Sequence, residues 1–152
     1  MIFNFLYKIF VMKKHLFLVI LGVVITGIWA CGGNSSEIKQ EDTLRNEVFA
    51  IHDEVMPKMS DIVQLKGGLI ELSTDSTNET EVKSAHNQLE KAEDAMMAWM
   101  NNFKAPEKLR DSTSHEEIMA YLENEKLEIA KVRDLMNNSI ANAKRILDSG
   151  KQ

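Results

Sequence analysis

Histidine and methionine side chains recur in two stretches of this chain at spacings that suit a soft-metal site. The candidate residues are His52, Met56, Met59, Met96 and Met100. Residues four and three apart share one helical face, and antiparallel helices would bring the two stretches together. Thioether sulfurs with an imidazole suit Cu(I). Methionine also fills irregular gaps in apolar cores and packs on aromatic rings, here Trp99. We favour this packing interpretation, and a periplasmic copper-binding protein remains the alternative.

The remaining catalytic signatures are incomplete. The segment His115-Glu116-Glu117-Ile118-Met119 begins like the HExxH helix of zinc proteases, but Met119 stands where the second histidine ligand belongs. The sequence has no glycine-rich phosphate loop and no local nucleophile motif. We therefore expect no catalytic residues and no cofactor, and an enzyme of unknown class ranks third among the functions considered.

Glu125 is a polar residue in an apolar pattern. It falls in phase with Leu122 and Ile129, so its carboxylate faces a helix seam and needs a partner, since an unpaired buried charge is very costly. His52 or a lysine could pair with it, or the side chain could reach solvent along its apolar stem. We expect His52 itself to be partly buried and bonded to a neighbouring helix.

Three amphipathic segments must position these residues. In the first, apolar residues recur at spacings of three and four from Leu44 to Leu72, which predicts one helical face. A second stripe widens that face: Phe49, His52, Met56 and Val63. Pro57 lacks an amide proton, so we expect a kink there. The pair Gly67-Gly68 leaves the phase of the pattern unchanged, and we extend the helix to about Leu72.

The second and third helices have clearer boundaries. Val82, Leu89, Met96 and Phe103 repeat every seven residues, with Ala85, Ala92 and Trp99 in the complementary position. This pattern predicts helix two over residues 79–103, preceded by a Ser76–Glu79 capping box. A second capping box, Ser114–Glu117, opens helix three, whose apolar stripe runs from Ile118 to Leu147. Together these segments predict an all-α fold, an elongated antiparallel three-helix bundle over residues 41–150.

The N-terminal stretch predicts export. Met12-Lys13-Lys14 is a short basic start, Leu16 to Ile28 is apolar, and Ala30 precedes Cys31, the one cysteine. This arrangement is typical of a bacterial signal peptide and resembles a lipoprotein signal, in which the cysteine after the cleavage site is lipidated. The apolar run is too short to cross a bilayer as a helix. We assign residues 1–30 to the signal peptide, with Met12 as the expected start, and the polar residues 31–40 to the lipidated cysteine and a flexible tether.

Charge restricts the class of partner. Residues 1–30 hold three lysines and no acidic residue, so the remainder carries 15 basic and 23 acidic side chains, a net charge of about −8. Phosphate backbones repel such a chain, so we expect no nucleic-acid binding. With Cys31 acylated, no thiol remains for a disulfide, and the fold must be held by packing.

Several segments also carry a family resemblance: the Lys-Lys start, the cysteine at the cleavage site, the run from His52 to Met59, Met97-x-Trp99-Met100-x-x-Phe103 and Tyr121-Leu122. In these the chain resembles uncharacterised Bacteroidota lipoproteins labelled "viral A-type inclusion protein". The label reflects coiled-coil similarity and implies no viral role. The resemblance implies an envelope location and helices, and it assigns no activity to any residue.

These observations lead to one functional expectation. We expect a lipid-anchored, non-enzymatic binding or structural module of the bacterial cell envelope, held at the outer membrane through Cys31 on its periplasmic or surface face. An envelope protein is the expected partner.

Overall fold

The computed structural model describes residues 33–73 and 79–150 of this chain. The predicted signal peptide, Cys31 and the capping residue Ser76 lie outside these ranges. The described elements are α1 (Gly33–Val55), a 3-10 turn (Met56–Lys58), α2 (Met59–Ser73), α3 (Glu79–Asn102), a second 3-10 turn (Pro106–Lys108) and α4 (His115–Ser149). The chain divides into two compact units, residues 1–39 and residues 40–152. The first unit contributes only the beginning of α1 to the described residues, and the second is the helical unit discussed below.

The second unit is a three-helix bundle, as predicted. Helices α2, α3 and α4 each pack against the other two, and α1 precedes α2 as the first part of one long arm. Short connections between mutually packed helices make consecutive arms antiparallel. Helix α4 has 35 residues, which corresponds to about 52 Å at 1.5 Å per residue. No strand occurs in residues 33–73 or 79–150.

Pro57 interrupts the first arm at the predicted place. The residues around it form a single 3-10 turn, in which the Met59 amide donates to the Met56 carbonyl. Because proline has no amide proton, the α-helical hydrogen-bond ladder cannot continue through this position. Helix α2 then runs through Gly67 and Gly68 to Ser73, in agreement with the unbroken phase of the apolar pattern.

The core is built from the predicted stripes. The seven-residue repeat of α3 is buried at Val82, Leu89 and Met96, and so are the complementary Ala85, Ala92 and Trp99. A smaller apolar cluster joins Leu44 of α1 to Ile118 and Leu122 of α4. The predicted capping box of α4 is confirmed, since Ser114 and the Glu117 side chain each bond the other's backbone amide.

Two sequence predictions differ from the structure. The segment predicted as a flexible tether is helical from Gly33 onward. Each residue added to an existing helix gains one backbone hydrogen bond, and Glu37, Lys39 and Gln40 are good helix formers. The predicted second stripe also extends further around the helix than the buried surface does, because Val63 is exposed and Phe49 is 36% exposed. A helix on the surface of a bundle buries a limited stripe, and Ile62 already occupies the interior position.

Candidate functional site

The candidate methionines lie in and around the main apolar core. Met96 is fully buried, whereas Met56, Met59 and Met100 are partly buried and pack against the core. The two stretches do meet, because the His52 ring of α1 lies 5.6 Å from the Trp99 ring of α3, measured between centroids. The predicted alignment is therefore correct at this level of the bundle. Met96 thus belongs to the core and the other three methionines lie at its edge, and packing in place of Cu(I) binding stays a prediction.

His52 packs on a neighbouring helix but does not bond to one. Its Nδ1 atom lies 2.8 Å from Oδ1 of Asp53, the next residue in α1. Its ring, with the side chain 15% exposed, contacts Phe49 edge-on at 5.8 Å as well as Trp99. The expected hydrogen bond between helices is thus replaced by aromatic contacts.

These rings belong to an aromatic cluster that connects α1, α3 and α4. Its members are Phe49, His52, Trp99, Phe103 and Tyr121. Neighbouring centroids lie 5.2–6.3 Å apart, within the range of favourable ring pairs. The Tyr121 hydroxyl also accepts a hydrogen bond of 2.7 Å from the backbone amide of Lys104, just past the end of α3. The aromatic cluster therefore fixes where α3 ends relative to α4.

Glu125 lies beside this cluster, half-buried in α4. Burial raises the pKa of its carboxyl, the nearby Trp99 indole N–H opposes that rise, and Glu128 adds to it. The indole is close enough to act on the carboxyl, but the two groups do not form a well-aligned hydrogen bond, and Trp99 Nε1 is buried without a partner. The prediction that Glu125 turns toward a seam is consistent with this position. Its neighbour there is an indole N–H rather than His52 or a lysine.

A second polar centre was not predicted: it surrounds Glu41, near the beginning of the bundle. The Glu41 side chain is 3% exposed, and Arg110 Nε donates to its Oε2 at 2.7 Å. Arg110 Nη2 also donates to Asp42 at 2.9 Å. His115 Nδ1 lies 2.9 Å from Glu41 Oε1, and it is the donor because an ionised carboxylate only accepts. We call these four residues the Glu41 network.

Electrostatics favour the ionised form of Glu41. Burial alone would raise the pKa of Glu41, but hydrogen bonds from His115 and Arg110, with the attraction of both groups, lower it below its usual range. The network joins α1 to the connection between α3 and α4, and Arg45 adds an ion pair with Glu107 beside it. One feature of the sequence indicates that Glu41 is buried, since Glu41 lies in phase with the apolar residues Leu44 and Val48. The partners Arg110 and His115 have no periodic signature.

A groove opens at the opposite end of the bundle, between the end of α2 and the beginning of α3. Its volume is about 370 Å³, and it is lined by Leu69, Ile70, Ser73, Glu79, Val82, Lys83 and His86. The floor is apolar. On the rim, His86 lies 3.7 Å from Glu90, while Lys83 makes no ion pair with a described residue. A groove of this size and lining accommodates an apolar side chain or a small apolar group.

The described residues hold no other recognisable centre. No three His, Cys, Asp or Glu side chains of residues 33–73 and 79–150 converge as a metal site requires, a criterion that does not count methionine. None of the helices in these ranges is long and apolar enough to cross a membrane. Comparison with protein-family models, curated proteins and solved structures found no match to this chain.

Proposed function

We propose that this chain is a lipid-anchored helical bundle of the bacterial cell envelope that serves as a binding or structural module and not as an enzyme. The signal-like sequence ending at Ala30-Cys31 supports the anchor. The observation that carries the binding role is the apolar surface at one end of the bundle. There the groove adjoins Ile70, which is 58% exposed, and Val63 lies two turns earlier on α2 with 60% exposure.

The groove and the Glu41 network lie at opposite ends of the first helical arm. Cys31 lies ten residues before Glu41 in the sequence, so the anchor reaches the Glu41 end of the bundle through at most about 35 Å of chain. The helical arm then continues for 32 residues to Ser73 beside the groove, which is roughly 48 Å at helical rise. We therefore assign partner binding to the groove and the exposed face of α2, at the end of the arm that follows the anchor at the greater distance along the chain.

The anchor is tested by fatty-acid labelling. Cells expressing the full chain are grown with an alkyne-bearing fatty acid, and label on the protein is detected after coupling to a dye. We expect label on the wild type and none on Cys31→Ser, which should also remain an unprocessed precursor. An unlabelled wild type would remove the anchor from the proposal.

The binding surface is tested by site-specific photo-crosslinking in intact cells. A photoreactive residue replaces Ile70 in one variant and Leu127 in the matched control, whose side chain is 63% exposed on α4. We expect the Ile70 variant to give defined crosslinked bands that the Leu127 variant lacks. Identical band patterns from the two positions would show that the α2 surface is not a binding site.

A further inference from the structure

A solvent-exposed side of α2, away from the buried Ile62 and Leu69, carries a second pattern of apolar and small residues, and its last member, Ile70, also lines the groove. Ser60, Val63, Gly67 and Ile70 are exposed and follow one another at spacings of three, four and three residues. This is the a/d spacing of a coiled-coil seam. The core side of the same helix is formed by Ile62 and Leu69. Helix α2 thus has two faces of coiled-coil type, of which the bundle covers one.

Gly67 has no explanation within the bundle. A Cβ atom placed there would meet nothing within 4 Å, whereas one at Gly68 would lie 3.4 Å from Leu147 and one at Gly150 would lie 2.6 Å from Leu72. Gly67 has no positive φ either. Glycine inside a helix costs about 1 kcal/mol relative to alanine. A glycine on an exposed apolar face is the residue that lets a second helix approach closely.

We propose that α2 pairs in parallel with α2 of a second copy of this chain, with Ser60, Val63, Gly67 and Ile70 forming the seam. The seam itself carries no charge, which limits the repulsion between two acidic copies. In the heptad of this seam, lettered a to g, Gly67 occupies position a. The charged residues beside the seam are Lys66 at position g and Glu71 at position e. In a parallel pair, a residue at position g of one helix lies beside the position-e residue of the second helix that comes five places later in the sequence.

The charge pattern selects the direction of pairing. A parallel pair places Lys66 beside Glu71 of the second copy, twice by symmetry, whereas an antiparallel pair would place Lys66 beside Lys66. Both groups also interact within their own chain: the Lys66 ammonium donates to Glu93 at 2.8 Å, and Glu71 has an interaction of its own. Each keeps capacity for a further bond, since an ammonium has three donors and a carboxylate has two acceptor oxygens. Parallel pairing gives both copies the same direction along α2, and the membrane-bound form of the pair rests on the proposed function.

Thiol crosslinking of the full chain tests this inference. Cys31→Ser removes the one native thiol, and Ile70→Cys then places a single thiol in the seam. The chain is solubilised in mild detergent, oxidised gently and analysed on a non-reducing gel. We expect a disulfide-linked dimer, because parallel pairing puts residue 70 of one copy beside residue 70 of the other. Leu127→Cys in the same background has similar exposure and should give little dimer.

A second variant reports on the seam itself. Val63→Glu, added to the Ile70→Cys chain, should lower the dimer yield about tenfold or more, since it places a carboxylate in an apolar contact. The exposed position should leave the circular dichroism spectrum unchanged. Equal dimer yields from the Ile70 and Leu127 thiols, or no effect of Val63→Glu, would overturn the inference.

The direction of pairing has its own readout. If thiols at Val63 and Ile70 crosslink to each other in a mixture but not to themselves, the pair is antiparallel and the parallel register is wrong. Because the crosslinking chain lacks Cys31, these results do not depend on the anchor. The anchor itself is tested separately, by fatty-acid labelling of the native chain.

Discussion

Removing Arg110 should expose how much the bundle depends on the Glu41 network. Arg110→Ala deletes two hydrogen bonds, to Glu41 at 2.7 Å and to Asp42 at 2.9 Å. Among the described residues, His115 is then the one close charged or polar partner left to the Glu41 carboxylate. Breaking a fully buried ion pair costs about 3–5 kcal/mol. Since Arg110 is a quarter exposed and His115 stays, we expect a loss of about 2–3 kcal/mol in the free energy of unfolding.

Urea denaturation of residues 38–152, which include the whole helical unit, measures this loss. Lys131→Ala is the matched control, because its ion pair with Glu128 lies on the exposed side of α4 and such pairs contribute less than about 1 kcal/mol. If Arg110→Ala changes stability no more than Lys131→Ala does, the Glu41 network does not hold the bundle together and our reasoning is wrong.

The same loss should depend on pH in a defined direction. The folded pKa of Glu41 lies below its ordinary value of 4.5, so its ionised form stabilises the folded state. That contribution is complete above pH 4.5 and is lost as the pH falls through the lowered folded pKa. The difference between wild type and Arg110→Ala should therefore be full at pH 7 and shrink in strong acid. A difference that grows as the pH falls would contradict the assignment.

Three further predictions follow from the buried side chains. Leu89→Ala should destabilise the bundle by roughly 2–5 kcal/mol in urea denaturation, because Leu89 is fully buried; a loss below about half a kcal/mol would mean that its site relaxes almost completely. Glu125→Gln should raise the melting temperature at neutral pH, because burial raises the pKa of Glu125 and penalises its ionised form. The substitution should have less effect below the usual carboxyl pKa. Equal melting temperatures of the two proteins at neutral pH would show that the carboxylate is fully solvated. Competition against a chromophoric Cu(I) chelator should detect no tight copper binding, because Met96 and its neighbours pack in the core. The copper site would be established instead if the chain bound copper stoichiometrically and if Met56→Leu and Met100→Leu abolished that binding with the fold intact.

Much of the bundle could be predicted from periodicity because the information is local. The phase of Val82, Leu89 and Met96 identifies the buried face of α3, and Ser114 with Glu117 marks the beginning of α4. Pro57 marks the break in the first arm for an equally local reason, its missing amide proton. Val63 shows the limit of this reasoning. Periodicity indicates that α2 has apolar residues on two sides, but it does not indicate which side the other helices cover.

Partners of polar residues are not local, and they escaped prediction for that reason. Glu41 and Glu125 give the same signal in the sequence, a carboxylate in phase with an apolar stripe. Their environments differ because of residues far away in the chain. Arg110, 69 positions from Glu41, bonds that carboxylate, whereas the group facing Glu125 is the indole of Trp99.

The two carboxylates consequently respond in opposite ways to acid. Charged donors compensate the burial of Glu41, so its pKa falls and protonation weakens the folded state. An indole offers Glu125 one weakly placed neutral donor, so burial prevails, its pKa rises and protonation relieves a cost. Between the raised pKa of Glu125 and the lowered pKa of Glu41, acid should therefore remove the burial cost of the Glu125 carboxylate while the Glu41 network still holds. The Glu41 network is therefore the acid-sensitive one of the two polar centres.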